Sequence, residues 1–291
     1  MKKSEALQAI ERPLASLPHA IVKPILEHIQ TITHYEPVIG IMGKTGAGKS
    51  SLCNALFQGE VTSVSDVGAC TRDVLRFRLH NSNHSLMIVD LPGVGESEQR
   101  DEEYSALYRR ILPELDLVLW VIKTDDRALS VDEHFYRKVM VGYQRRFLFV
   151  LNQADKAEPC HQWNTTSNTP SPDQQLTIEA KRSAVQQLFL SHHPVCVVSA
   201  RTVWGMEAMV QCMMRSLPDR ATSPLTTQLH RKLCTEPVKK QARDSFGCAV
   251  GSVFDSVASS HLLPAPVRNV INSVRDVVVS VARAVWNWIF F

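Results

Sequence analysis

No apolar run in these 291 residues approaches the eighteen or more that a membrane-spanning helix needs. The N-terminus has no leader pattern: Lys2 and Lys3 are followed by Ser4, Glu5 and a mixed stretch, not an apolar core. There is no excess of either charge. The 32 basic and 29 acidic side chains leave a net charge of +3, so composition makes no case for a nucleic-acid partner. The seven cysteines, at positions 53, 70, 160, 196, 212, 234 and 248, include no C-x-x-C pair. That argues against a zinc ribbon or a disulfide framework and fits a reduced, cytoplasmic chain. Cys160-His161 and His192-His193 are too isolated for a metal site. After residue 218 there is no G-x-x-G loop of the kind that clamps an RNA backbone. What remains is a chain with 44% hydrophobic residues, long enough for one large domain or one domain with appendages.

Against these absences stands one dense motif. Gly43-Lys44-Thr45-Gly46-Ala47-Gly48-Lys49-Ser50 fits the pattern G-x-x-x-x-G-K-[ST], with a short apolar strand ahead of it and a helix opening at Ser51 behind it. A glycine-rich turn in that position lets backbone N–H groups curl around a phosphate, and the helix N-terminus adds its partial positive charge. Lys49 is expected to reach the β- and γ-phosphates, and the Ser50 hydroxyl to ligate Mg²⁺.

Three further segments follow in order. Ser85–Asp90 is an apolar strand ending in Asp90-Leu91-Pro92-Gly93. An Asp at the end of a strand beside a phosphate loop holds Mg²⁺, and the Gly93 N–H is placed to sense a γ-phosphate. Arg146–Leu151 is a buried strand ending in Asn152-Gln153-Ala154-Asp155. The Asp155 carboxylate would accept from guanine N1–H and its exocyclic amine, whereas adenine presents an unpaired acceptor at N1. Asn152 would tie this loop to the phosphate loop. Pro194–Val198 leads to Ser199-Ala200, where small residues let a backbone N–H approach guanine O6.

In this order the motifs resemble those of the translation-factor-type P-loop GTPases, and most closely the Era/septin-like branch. Ala69-Cys70-Thr71-Arg72-Asp73 is similar to the threonine-arginine switch segment of Era-like proteins. The whole chain looks like a small group of bacterial Era-like GTPases carried on cryptic prophages. The diagnostic resemblance covers roughly residues 37–218. It implies a Ras-like α/β fold, GTP and GDP as ligands with Mg²⁺, and slow GTP hydrolysis serving a molecular switch. It further implies that Thr71 contacts Mg²⁺ and the γ-phosphate, so that Lys49, Thr71 and Gly93 serve catalysis and Ser50, Thr71 and Asp90 surround the metal. Gly43 to Ser51 would cradle the phosphates, while Asn152, Asp155, Ser199 and Ala200 read the base.

Three positions depart from that pattern. Gln153 replaces the lysine whose stem stacks beside the base. Val94 follows Gly93 where Ras-type enzymes carry the water-orienting Gln. Gly46 stands where some Era-like proteins recruit K⁺ through an asparagine. Catalysis would then be slow, or completed by a partner or a second copy. Arg72 is the nearest candidate arginine, and Lys44 is placed to face a neighbouring subunit's nucleotide in a septin-like dimer. A GTP binder with negligible hydrolysis is the third reading.

Strands alternating with helices predict a mostly parallel sheet covered on both faces, with nucleotide at the strands' C-terminal ends. Three segments are expected: helical 1–36, nucleotide-binding 37–218 and helical 219–291. In the first, Leu7, Ile10, Leu14 and Leu17 share a face, then Pro18 breaks the pattern before Ile21, Ile25, Leu26 and Ile29. Glu158–Gln175, rich in Pro, Thr, Ser and Asn, reads as a mobile surface insertion. From Val267 apolar residues recur with helical spacing as far as Ile289, while Arg268, Arg275 and Arg283 lie toward another side. Ser252–Leu263, bounded by Gly251 and Pro264, reads as the other half of a helical hairpin. The tail helix fits docking onto the rest of the chain, peripheral contact with the inner face of the membrane, or a protein effector or homodimer partner.

Overall fold

The computed structural model describes residues 3–64, 74–81, 83–93, 98–259 and 264–291. Its frame is a seven-stranded sheet in the order β2-β3-β4-β1-β5-β6-β7. The strands are β1 (Val38–Met42), β2 (Glu60–Val64), β3 (Leu75–Asn81), β4 (His84–Asp90), β5 (Leu117–Lys123), β6 (Phe147–Asn152) and β7 (Cys196–Val197). β1 lies between β4 and β5, and the five strands from β4 to β7 run parallel. β2 and β3 add an antiparallel edge. The expected α/β sheet with helices on both faces is therefore present.

Alternation along the central strands sorts side chains between two faces. In β5, Leu117, Leu119 and Val121 point one way, and Val118, Trp120 and Ile122 the other. In β6, Leu148 and Val150 oppose Phe147, Phe149 and Leu151. The aromatic face is covered by α4 (Glu98–Ile111), α5 (Ser130–Val139) and α6 (Pro172–Leu188). There Trp120 meets Tyr136, Phe147, Phe149 and Phe189 at centroid separations of 5.5–6.0 Å.

The aliphatic face is covered by α3 (Lys49–Leu56) and α7 (Met206–Ser216), and also by helices from both chain ends. These are α1 (Lys3–Glu11), α2 (His19–Thr33), α8 (Asp219–Gln228), α9 (Glu236–Ala258) and α10 (Ala265–Phe290). Residues of α1, α2, α3, the sheet, α7, α8, α9 and α10 belong to one contiguous buried cluster.

Of the three occupants open for the tail helix, the structure places it against the chain itself. Ile271, Val278, Val285 and Ile289 are buried, each contributing about 1.5–3 kcal/mol of apolar burial. Trp286 is fully buried and donates from Nε1 to Ser223 Oγ at 2.8 Å, and Phe290 stacks on His84. Arg275 and Arg283 are not turned away from this packing: they lie over α9, beside Asp255 and Asp244. Gly251 accordingly sits inside α9 beneath the Arg275 guanidinium and does not bound it. Among the described residues no helix is long and apolar enough to cross a membrane.

The segment 158–175 lies largely at the surface, as expected, and holds more local structure than its composition announces. Ser171 caps α6 in a reciprocal capping box with Gln174, so that helix opens at Pro172. Gln174 is fully buried and donates to Ala157 O at 2.9 Å, Asn168 donates to Thr202 O, and Trp163 meets Trp204 edge to face. Part of its polar composition serves these internal hydrogen bonds.

Candidate functional site

The motifs converge at the C-terminal ends of β1, β4, β5 and β6. The turn after β1 closes with Ala47 N donating to Lys44 O at 3.1 Å, and α3 begins immediately after Gly48. Gly48 has φ +87°, and a Cβ there would stand 2.4 Å from Asn152 Nδ2, so both its backbone and its neighbour demand glycine. Lys49 folds back over the turn, its Nζ donating to Gly43 O at 2.9 Å. Ser50 and Ser51 occupy the first turn of α3, where N–H groups lack intrahelical partners.

Asp90 ends β4 beside this loop, and its Oδ1 is buried without a hydrogen-bond partner. Burial pushes its carboxyl above the usual range, and the Lys49 ammonium only partly opposes that. An orphaned carboxylate oxygen is a donor that fits a hard divalent cation, and Ser50 stands in the first turn of the helix that follows the turn beside it. Gly93 packs onto the loop itself: a Cβ on it would come within 2.9 Å of Gly43 O. Tyr108, fully buried on α4, donates to Pro92 O at 2.6 Å and so anchors the Asp90–Gly93 turn. Thr71, Arg72 and Val94 lie outside the described residues.

Asn152, at the end of β6, is 1% exposed and joins three segments. Its Nδ2 donates to Ala47 O at 2.9 Å and lies 3.5 Å from Gly48 O, and its Oδ1 accepts from Ala200 N at 3.0 Å. The expected tie between base loop and phosphate loop is thus made directly. Asp155 Oδ1 accepts from Ser199 Oγ at 2.6 Å, while Oδ2 is buried without a hydrogen bond and has Arg201 Nη2 2.7 Å away.

One detail differs from expectation. The Ala200 N–H meets Asn152 Oδ1, and the Ser199 N–H donates to Trp204 O, so both amides are engaged within the protein. The loop 199–204 closes on itself through that bridge.

Lys44 also has partners within its own chain. Its ammonium lies 2.9 Å from Asp132 and 3.3 Å from Asp126. Burial draws the Lys44 ammonium down, but the two carboxylates outweigh it and the net shift is upward. Burial likewise raises Asp132, against the pull of Lys44.

Lys123 and Lys156 carry no motif signal, and the contacts of both, with those of Gln153, are seen only in three dimensions. Lys123, at the end of β5, holds its Nζ 3.4 Å from where a Cβ on Gly46 would sit. Gln153 donates to Gly46 O at 2.7 Å and accepts from Lys156 at 3.0 Å, which brings a positive charge back beside the position where the usual lysine is missing.

The chain is similar to several known proteins. Residues 38–153 match the family described as 50S ribosome-binding GTPase. The Escherichia coli K12 protein YfjP is 54% identical over all 291 residues and the whole of both chains. The tRNA modification GTPase MnmE of Campylobacter jejuni subsp. doylei is 32% identical over 118 residues, which are 40% of this chain and 26% of that one. The solved structure of an Aquifex aeolicus Era variant bound to GDP and AlF4⁻ aligns with a TM-score of 0.45 at 20% identity, over 62% of this chain and 56% of that one.

Proposed function

Since the chain belongs to the P-loop GTPases of the 50S ribosome-binding GTPase family, we propose that it binds GTP and GDP and hydrolyses GTP slowly, as a Mg²⁺-dependent switch. The observation that carries this is the Asn152 junction. One buried side chain joins the phosphate loop at Ala47 to the base loop at Ala200, next to an Asp155 oxygen left without a hydrogen bond. That oxygen suits guanine N1–H or its amine and is mismatched to adenine N1. Arg201 must release it when guanine enters.

In this reading Gly43–Ser51 wrap the phosphates with backbone N–H groups, and Lys49 swings from Gly43 O to the β- and γ-phosphates. Lys123 adds a second ammonium on the Gly46 side of the loop. Ser50, Asp90 and Thr71 would hold Mg²⁺, which when bound neutralises charge on the phosphate oxygens. Gly93, packed on Gly43, would couple the γ-phosphate to the segment that follows it. Water attacks the γ-phosphorus in line, and the phosphate loop carries the charge that develops on the leaving oxygen. The hydrolysis is slow because Val94 cannot orient water. We assign nucleotide binding to residues 37–218, with 1–36 and 219–291 as helical segments on one face. The capture of Lys44 by Asp126 and Asp132 favours a switch over a dimer in which Lys44 reaches a neighbour's nucleotide.

The test is titration of the full chain with GTP, GDP and ATP in Mg²⁺, alongside Asp155→Asn. Guanine preference that collapses by about a hundredfold or more in the variant supports the reading. ATP binding as tight as GTP would sink it.

A further inference from the structure

Lys123 ends β5, the one position of that strand that is not fully buried, and its ammonium is turned toward the glycine-rich loop. Its Nζ and Cε lie 3.4 and 3.5 Å from where a Cβ on Gly46 would sit. A side chain at 46 would cover one side of that ammonium; glycine, whose φ of +78° suits the turn, leaves it open. The backbone under Lys123 is fixed to the same loop. It pairs with Asn152 in the β5–β6 register, and the next residue, Thr124, donates from both N–H and hydroxyl to Asn152 O at 3.0 and 2.9 Å. Asn152 in turn holds Ala47 O, and Gln153 holds Gly46 O.

The lysines around the loop differ in what they touch. Lys44 lies against Asp126 and Asp132, Lys49 donates to Gly43 O, Lys156 to Gln153 and Lys181 to Asp126 O. Lys123, by contrast, has neither an ion pair nor a hydrogen bond among the described residues. A half-buried ammonium without a counter-charge, facing the loop that carries Lys49 and opens α3, is repelled by what surrounds it. Such a local misfit marks a position kept for a ligand and not for stability.

We propose that Lys123 is a catalytic residue supplied from outside the glycine-rich string: it takes a polyphosphate on the Gly46 side of the loop and provides the positive charge that a partner or a second copy would otherwise bring. This deepens the function proposed above and rests on it for the reaction, though not for the phosphate contact. In that reaction a water oxygen bonds the γ-phosphorus, the bond from that phosphorus to the bridging oxygen breaks, and its electron pair stays on GDP. One water proton remains on the released phosphate and the other passes to solvent. Lys123 gives up no proton; its charge offsets what gathers on the leaving oxygen. It supplies charge and not the orientation of water, so hydrolysis remains slow.

The experiment compares the full chain with Lys123→Met and Lys123→Arg by calorimetry, thermal melting and GTP turnover. Lys123→Met keeps the apolar stem and removes the charge. Its affinity for GDP and for inorganic pyrophosphate, both in Mg²⁺, should fall by about tenfold or more, and its turnover at saturating GTP by about a hundredfold. Lys123→Arg should keep most of both. The nucleotide-free chain should melt no lower without the charge, and turnover per molecule of the parent should not change with protein concentration. Unchanged affinities in Lys123→Met overturn the phosphate contact, as does a lost affinity that comes with a lower melting temperature, which assigns Lys123 to the fold. Turnover per molecule that rises with protein concentration overturns the claim that the chain supplies its own charge. A parent that binds pyrophosphate through Lys123 but no GDP overturns the guanine reading and leaves the contact standing; a parent that binds neither overturns both.

Discussion

Replacing Asn152 by alanine tests the junction on which the site depends. The side chain is 1% exposed and makes two well-formed bonds, Nδ2 to Ala47 O at 2.9 Å and Oδ1 from Ala200 N at 3.0 Å. Alanine removes both and strands a carbonyl and an amide. Each stranded buried partner costs about 1–3 kcal/mol. Ala47 borders the open phosphate loop, where water relieves part of that, so the sum should fall near about 2–4 kcal/mol. Against a total stability of about 5–15 kcal/mol the chain still folds. Urea unfolding without nucleotide should show the midpoint falling at unchanged slope. Nucleotide affinity should fall as well if the two loops hold phosphate and base as proposed, because they lose their shared anchor. Asn152→Asp sharpens the test: it keeps the acceptor for Ala200 N but turns the donor toward Ala47 O into a second acceptor, so it should cost more than one bond despite its size. Asn152→Ala within about 0.5 kcal/mol of the parent, with GDP affinity intact, would refute the reasoning.

Trp286→Phe keeps most of the buried ring but loses the Nε1 bond to Ser223 Oγ; chemical unfolding should report about 1–2 kcal/mol, and a neutral result would mean that the bond is not formed in solution. Arg201→Ala removes an exposed cation that must leave Asp155 before guanine binds, so GDP affinity by calorimetry should rise, by up to about fivefold for a surface ion pair. Asp90→Asn should stabilise the nucleotide-free chain while removing the Mg²⁺ dependence of nucleotide affinity. Because burial raises the folded carboxyl above its unfolded value, ionising it opposes folding. The gain in melting temperature is then full at pH above the raised value and vanishes as pH falls to the ordinary carboxylate range. A gain that grows toward acid would contradict this sign.

The site was legible because its chemistry is written in contiguous strings placed at strand ends. Gly43–Ser50, Asp90–Gly93 and Asn152–Asp155 each announce themselves, and the sheet brings them together. Lys123 was not legible, since a lysine after an apolar strand has no signature; only the neighbouring β1–β5 register sets it over Gly46. The pairing of Lys44 with Asp126 and Asp132 hides for the same reason, its partners lying over eighty residues away. In 158–175 composition marked the surface but not the bonds: Pro, Ser, Thr and Asn suit a solvated loop, and nothing in them foretold that Gln174 would bond Ala157 O and Asn168 Thr202 O. The tail was legible as a helix and not in its placement, because helical periodicity identifies an apolar stripe without identifying what covers it.

What covers it bears on how such a switch would report its state. α3 begins at Lys49 in the phosphate loop and ends against the C-terminal segment. His230 bonds Asn54 O at 2.9 Å, Gln58 N donates to Gln228 O at 2.8 Å, and Phe57 bridges Leu229. From the same segment Gln228 donates to His84 O, and Thr227 O accepts from Asn81, so the β3–β4 turn is held too. α10 closes over this junction, with Phe290 on His84. A rigid helix running from the glycine-rich turn to a hydrogen-bonded clamp transmits a shift of its N-terminus more readily than a flexible loop does. The clamp also grips the start of β4, whose far end carries Asp90, so the glycine-rich turn and Asp90 are tied to the same terminal helices by two separate elements. The terminal helices thus sit where any nucleotide-dependent movement of α3 or β4 must either be absorbed or be passed on.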